Sequence, residues 1–357
     1  MVITETDTTP AAIARQRGGG LGRFILWRAL LIIPTVFILV TMVFLLMRTM
    51  GNPITASVGD RLPPDQLAER VAAAGYDRPL FVQYFEYLGQ VFTGNFGVTF
   101  SDRRPVTEVL TTFGAATLEL AIYTIIVALV VGIPLGMLAA YYRDRGPDAI
   151  LRVFAIFTYA TPVFFSGLIM KLIFGIWLGW LPVSGRASIS TELAIQTLPD
   201  PSGFYLIDAF RTGNMANVGD VLLHAVLPAL TLGMMTAGVF LRLVRTNMIG
   251  TLGQEYVDSG RSRGIREYRL VTKHAYKPAL IPIITVIGLQ IALLLSGAVL
   301  TETTFEWKGL GFQLAHYLSA RDFVAVQGIV ALLAVIVALS NFVVDVVAAL
   351  IDPRVRY

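Results

Sequence analysis

The sequence predicts an all-α, polytopic membrane protein with six transmembrane helices. Three observations predict it. Of its 357 residues, 55% are hydrophobic and only 15% charged, with a mean hydropathy of +0.69. A soluble domain carries about 25% charged residues, and a soluble chain this apolar would expose too much hydrocarbon to water. Six stretches are also long and apolar enough to cross the ~30 Å of a bilayer core, which takes about 20 helical residues. Finally, Pro34, Pro134, Pro162, Pro228 and Pro282 fall inside these stretches. Lipid tolerates such prolines where neighbouring helices satisfy the carbonyls they free, as in a packed bundle.

In chain order, residues 1–23 read as a tail containing "TETDTTPAA" and "GGG". The first span, 24–47, is too long for the apolar core of a cleavable signal, and no small-residue cleavage site follows it. A long connection, 48–116, includes "PPDQLAERVAAAG", with proline at a helix start and glycine at its stop. The second span, 117–141, is followed by the short "RDRGPD" and by the third span, 150–178. Residues 179–221 are rich in Gly, Pro, Ser and Thr and precede the fourth span, 222–243. A basic segment, 245–278, leads into the fifth span, 279–300; residues 301–322 then connect to the sixth, 323–351, and a tail, 352–357.

Lysine and arginine in short loops set orientation. Arg15, Arg17 and Arg23, Arg143 and Arg145, the segment 245–278, and Arg354 and Arg356 all fall on one side of a six-span chain, against Lys308 and Arg321 in 301–322. Both termini are therefore predicted in the cytoplasm, with 48–116, 179–221 and 301–322 outside. The basic residues of 48–116 are discounted, because long loops translocate largely regardless of charge.

The basic segment contains "EYVDSGRSRGIREYRLVTKHAYKPALIP", residues 255–282. It predicts a short helix ending at Gly264 and a second helix leading into span five. Ser259, Gly260, Ser262 and Gly264 cluster at the bend. A glycine within a helix costs ~1 kcal/mol relative to alanine, which is reasonable where the backbone must closely approach another surface. Pattern alone leaves two readings open: an amphipathic element held on anionic lipid by Arg261, Arg263, Arg266, Arg269, Lys273 and Lys277, or a docking element for a cytoplasmic partner.

Other chemistry is missing from the sequence. There is no Gly-x-x-x-x-Gly-Lys-Ser/Thr phosphate loop, no cysteine, and His224, His274 and His316 lie far apart. No nucleophile–base constellation appears, which argues against an intramembrane enzyme. Runs such as "GMLAA" read as helix packing. The charges within spans, Glu119, Lys171, Arg242 and Asp345, sit near span ends and read as interfacial anchors or interhelical pairs. An ion-coupled secondary transporter would instead favour ionisable groups near the midplane and internal repeats.

On Glu255, Tyr256, Val257, Arg261, Gly264, His274, Ala275, Ala279 and Pro282, the basic segment resembles the cytoplasmic "EAA" loop of bacterial ABC importer permeases in its peptide-permease form. It departs at Ser259, Gly260, Ser262 and Arg263, changes that keep size or charge. "ATLELA", "GIPLGMLAA", "TPVFFSGLIM", "WLPVSGR", "FYLIDAF", "HAVLPALTLG", "ETTFEWKGLG", "ARDFVAVQG" and "DPRVRY" extend the resemblance in order along the chain. The region after span one resembles the B-type subunit of dipeptide and oligopeptide importers. There the family often has Pro-Gly-Asp-Pro, where this chain has Met50, Gly51, Asn52 and Pro53, and often Gly-Asp-Leu-Gly, where it has "GNFGVTF".

The resemblance implies a type I ABC importer permease fold in the bacterial inner membrane. It implies a coupling helix whose ATPase-contacting residues are Glu255, Tyr256, Gly260, Arg261, Gly264, His274 and Pro282. The chain itself would be non-catalytic and without a cofactor, ATP and Mg being bound by two partner ATPase subunits. A related C-type permease and an external binding protein complete the implied set, with no nucleic acid. Peptides are the implied cargo, and a nickel chelate, glutathione or an oligosaccharide the alternatives.

Overall fold

The computed structural model describes residues 21–49, 51–52, 54–55 and 62–351. The tail residues 1–20 and 352–357, and the motif positions Met50 and Pro53, lie outside the described residues. Among those described the regular structure is helical, apart from an isolated antiparallel bridge between Val98 and Pro105.

The first helix, α1 (Leu21–Thr49), lies against the last, α13 (Phe323–Ile351). It buries Val40, Val43 and Phe44 and exposes Leu26, Trp27, Ile33, Phe37 and Ile38. An apolar surface of that kind suits lipid, not water. Arg28 of α1 pairs with Asp345 of α13 at 2.9 Å, so the predicted interhelical pairing of Asp345 is observed. Between α1 and the next long helix come α2 (Pro64–Ala73) and α3 (Leu80–Thr93). The former starts with proline and is followed by Gly75 at φ 73°, as its sequence predicted.

The centre of the fold is a pair of long helices, α4 (Val106–Tyr141) and α9 (Met215–Leu252). At 36 and 38 residues, they run about 54 and 57 Å at ~1.5 Å per residue, well beyond a bilayer core. Both start before the predicted spans 117–141 and 222–243, because hydropathy marks the stretch that can lie in lipid and not where a helix stops. Their contact is made by small residues. A Cβ on Gly136 would lie 2.6 Å from Val244 Cβ, and one on Gly233 2.5 Å from Val127 Cγ1. This is the close backbone approach expected where helices pack without a hydrophobic driving force from water, and it matches the packing reading of "GMLAA".

The predicted third span, 150–178, is not one straight helix. It is α5 (Gly146–Ala160) followed by α6 (Val163–Met170), whose continuation Lys171–Trp177 is π-helical, and the two parts are bent by 104°. Pro162 causes the break. The residue before a proline is pushed out of the helical region, and Thr161 has φ −79° and ψ 128°. Pro134 and Pro228 stay within α4 and α9.

Two short helices, α7 (Ile189–Gln196) and α8 (Tyr205–Arg211), fill the segment before α9. After α9 come α10 (Glu255–Ser262), α11 (Tyr276–Phe305) and α12 (Leu310–Ser319). Among the described residues α1, α4, α9 and α13 are long and apolar enough to cross a membrane, and α5 with α6 make a fifth if the bent pair is one span. The predicted fifth span, 279–300, lies within the 30-residue α11.

Candidate functional site

The residues singled out in 255–282 sit at the end of the molecule where α9 stops. Glu255 and Asp258 occupy the first turn of α10, where negative charge complements the helix dipole. The helix ends in a paired closure. The Ile265 N–H donates to the Gly260 carbonyl at 3.2 Å, and the Gly264 N–H to that of Arg261 at 3.0 Å. This geometry requires a left-handed residue at the first position past the cap, and Gly264 supplies it with φ 76°. The chain then passes through a single helical turn, Glu267–Arg269, and a π-helical stretch, Leu270–Ala275, directly into α11.

One side of this unit is apolar. Val257, Gly260, Leu270, Val271, Ala275 and Ala279 are buried. Val271, Ala275 and Ala279 share a core with Val244 and Met248 of α9 and Ala140 of α4. Gly260 serves this inner side, since a Cβ there would lie 2.8 Å from Leu270 Cδ2. The close approach predicted for Gly260 is thus made within the chain. At Gly264 an added Cβ would meet nothing within 4 Å, so its backbone conformation is what demands glycine.

Arg261 is engaged within the loop. Its Nε and Nη2 donate to the Glu267 carboxylate at 3.1 and 3.0 Å, and its Nη1 to Asp258. Glu255, Tyr256, Asp258, Ser259, Ser262 and Arg263 are exposed as well. Five of them, all but Tyr256, line an open groove. His274 is exposed on the π-helical stretch. Pro282 belongs to α11, and its side chain lies outside the described residues. The structure therefore puts Glu255 on the outward face of α10 and Tyr256 exposed on its flank, leaves Arg261 exposed but tied to Asp258 and Glu267, uses Gly260 and Gly264 to shape the helix, and sets His274 and Pro282 apart.

At the opposite end, buried acids tie the connecting segments down. Glu119 of α4 accepts from Arg186 Nη2 at 2.5 Å, from the Tyr123 hydroxyl at 3.0 Å and from the Leu206 N–H at 2.8 Å. Arg186 also donates to the Gly203 carbonyl at 2.8 Å and lies 3.6 Å from the ring centre of Tyr205. Both charges are almost fully buried, with side chains 4% and 6% exposed, so the partners are obligatory: an unpaired buried charge costs ~3–5 kcal/mol. Glu302, at the end of α11, accepts from Thr117 Oγ1 at 2.6 Å and from the Phe312 N–H at 2.8 Å. A Cβ on Gly309 would lie 2.4 Å from the Glu302 carboxylate, which explains the glycine in "KGLG". Asp322 accepts from the Phe100 and Ser101 N–H groups at 2.6 and 2.9 Å.

Glu119 is thus paired as the sequence predicted, but with a residue of a connecting segment. Lys171 does not reach for a surface. Its Nζ donates to the Thr304 carbonyl at 2.8 Å, joining α6 to the end of α11. Arg186, Glu302 and Asp322 were not singled out from the sequence, although "WLPVSGR", "ETTFEWKGLG" and "ARDFVAVQG" contain them. A charged residue inside a short, glycine-bearing motif was the available signal.

The chain is similar to known proteins over most of its length. The family model described as "Binding-protein-dependent transport system inner membrane component" matches residues 132–357, and that of the N-terminal part of the same kind of membrane component matches residues 21–121. The chain is 38% identical over 336 residues to the di/tripeptide transport system permease protein DppB of Pseudomonas aeruginosa, covering 94% of this chain and 98% of that one. It is 36% identical over 337 residues to the dipeptide transport system permease protein DppB of Escherichia coli K12, with 94% and 99% covered. To the glutathione transport system permease protein GsiC of Salmonella choleraesuis it is 32% identical over 335 residues, again with 94% and 99% covered.

Proposed function

This chain belongs to the family of binding-protein-dependent transport system inner membrane components, and from that premise we propose that it forms one half of the translocation pathway of an ATP-driven importer of peptides. The end-to-end similarity to permeases named for di/tripeptides, dipeptides and glutathione supports a small peptide as cargo. Glutathione itself, a nickel chelate or an oligosaccharide is the alternative within the same kind of importer.

The observation that carries the coupling role is the mounting of α10. Its outward face is polar and exposed, while its inner side continues through Leu270, Val271 and Ala275 into the core shared with α9 and α4. A push on that face is transmitted as a rigid-body displacement of long helices, because packed side chains do not deform continuously. On this reading α10 lies in the cytoplasm and seats on one of two ATPase subunits, which bind ATP and Mg. Both termini are cytoplasmic. A second, C-type permease completes the pathway, and the segments gathered around Glu119, Glu302 and Asp322 face the external binding protein. The chain performs no catalysis and holds no cofactor of its own.

The test is reconstitution in vesicles with the ATPase subunits, the second permease and the binding protein. Peptide-stimulated ATP hydrolysis with matching uptake is the expected result. Uptake by this chain without any ATPase would instead make it a secondary transporter.

A further inference from the structure

A cleft of about 320 Å³ opens between α5 and α9. It starts where the helices meet most closely, since a Cβ on Gly238 would lie 2.5 Å from Thr158 Oγ1 and 3.0 Å from the Ala155 carbonyl. The lining is sharply divided. Arg152, Arg242 and Arg245 stand toward the ends of α5 and α9 near α10, and Ile156, Tyr159 and Val239 follow deeper in. The division is written into both helices at helical spacing: Arg152, Ile156 and Tyr159 at i, i+4 and i+7, and Arg245, Arg242 and Gly238 stepping back by three and seven. The two helices run in opposite directions, yet both stripes pass from cationic to apolar the same way.

The charge is not balanced within the protein. Buried Asp148 takes Arg245 in a fork, with bonds of 2.6 and 2.7 Å, and lies 3.8 Å from Arg152. Asp148 is taken up by Arg245, Arg152 stands only at its edge, and among the described residues Arg242 has no ion-pair partner, which leaves the guanidinium groups of Arg152 and Arg242 largely uncompensated. Arg152 keeps a half-exposed side chain, and Ile156 and Tyr159 are 67% and 63% exposed toward the outside of the bundle. The span from Arg152 to Tyr159 is about 10 Å along the helix axis.

We propose that this cleft binds an acidic phospholipid, its phosphate between Arg152 and Arg242 and the start of one acyl chain along Ile156, Tyr159 and Val239. The required ligand is anionic at one end and aliphatic at the other over about 10 Å, which a free phosphate is not; a small peptide, though it ends in a carboxylate, also carries an ammonium group that the three arginines would repel. Arginine suits the phosphate, since its planar fork offers paired N–H donors. The cytoplasmic placement of α10 puts the site in the inner leaflet, and this part rests on the proposed orientation.

Lipid retention by the purified complex in detergent does not depend on orientation, so the two readings fail separately. The complex is stripped of lipid, titrated with phosphatidylglycerol or phosphatidylcholine, and weighed by native mass spectrometry. Phosphatidylglycerol should be retained in preference, with affinity falling roughly fivefold for each arginine removed in Arg152→Gln and Arg242→Gln. Arg245 is left intact because Asp148 depends on it. Val239→Trp, which fills the apolar part, should reduce retention while leaving the arginines in place. Equal retention of both lipids, or no change in any variant, overturns the site. So does full displacement by inorganic phosphate, which would make it a simple anion site, or loss of the second permease from the arginine variants, which would make the cleft a subunit interface.

Discussion

Gly260 and Leu270 close the loop onto itself: a Cβ on Gly260 would lie 2.8 Å from Leu270 Cδ2. Leu270 is 1% exposed and Gly260 is buried, so the two residues set how far α10 stands from the bed beneath it. A larger residue at 260 would lift α10 without touching any of its outward side chains.

Gly260→Leu is therefore expected to preserve insertion of the spans and to uncouple ATP hydrolysis from uptake. Gly260→Leu combined with Leu270→Ala should recover part of the coupling, because the second change vacates the space the first demands. Peptide-stimulated ATPase activity in vesicles, measured for both singles and the double, checks this. Additive losses would place the role of Gly260 in direct contact with the partner.

Gly264 gives a different signature. Its φ of 76° is the constraint, and the space beside it is open. A left-handed backbone costs roughly 1–2 kcal/mol for an ordinary residue, whereas asparagine adopts it routinely. Gly264→Asn should transport nearly as the parent, and Gly264→Leu should weaken assembly with the ATPase. If asparagine is as damaging as leucine, the site is a contact and not a turn.

The buried pair of Glu119 and Arg186 should behave as one unit. Arg186→Met leaves Glu119 charged without its main partner, an expected loss of ~3–5 kcal/mol, seen as a lower melting temperature of the detergent-solubilised protein. Arg186→Met with Glu119→Gln should be more stable than Arg186→Met alone. A double variant no better than the single would show that Arg186 acts through its contacts with Tyr205 and Gly203 instead.

Much of this was legible in the chain. Apolar length marked the helices, because a bilayer sets a minimum run of hydrocarbon. The small residues of "GMLAA" marked a helix-packing surface, though not that α9 is its partner, and the Gly-punctuated basic segment marked α10. Three features were not legible. The bend at Pro162 looked like the tolerated prolines of other spans, since what separates it from Pro134 is whether neighbours hold the helix together. The extension of α4 and α9 past the bilayer has no hydropathy signal, because those turns are stabilised by packing against α8, α12 and the connecting segments. The pairing of Glu119 with Arg186 joins residues 67 positions apart, a separation that no local pattern reports.

The central claim is that α10 is a cytoplasmic docking element. The chain has no cysteine, so a single Ser262→Cys on the exposed face of α10 is a clean probe, with Ser190→Cys on α7 as its counterpart. In membranes containing the whole transporter, Ser262→Cys should cross-link to the ATPase subunit with a short bifunctional reagent, change its yield when ATP is added, and take up an impermeant thiol label only after permeabilisation. Ser190→Cys should label in intact cells whose outer barrier is open. Labelling of Ser262→Cys from outside intact cells, with no cross-link to the ATPase, would contradict the account.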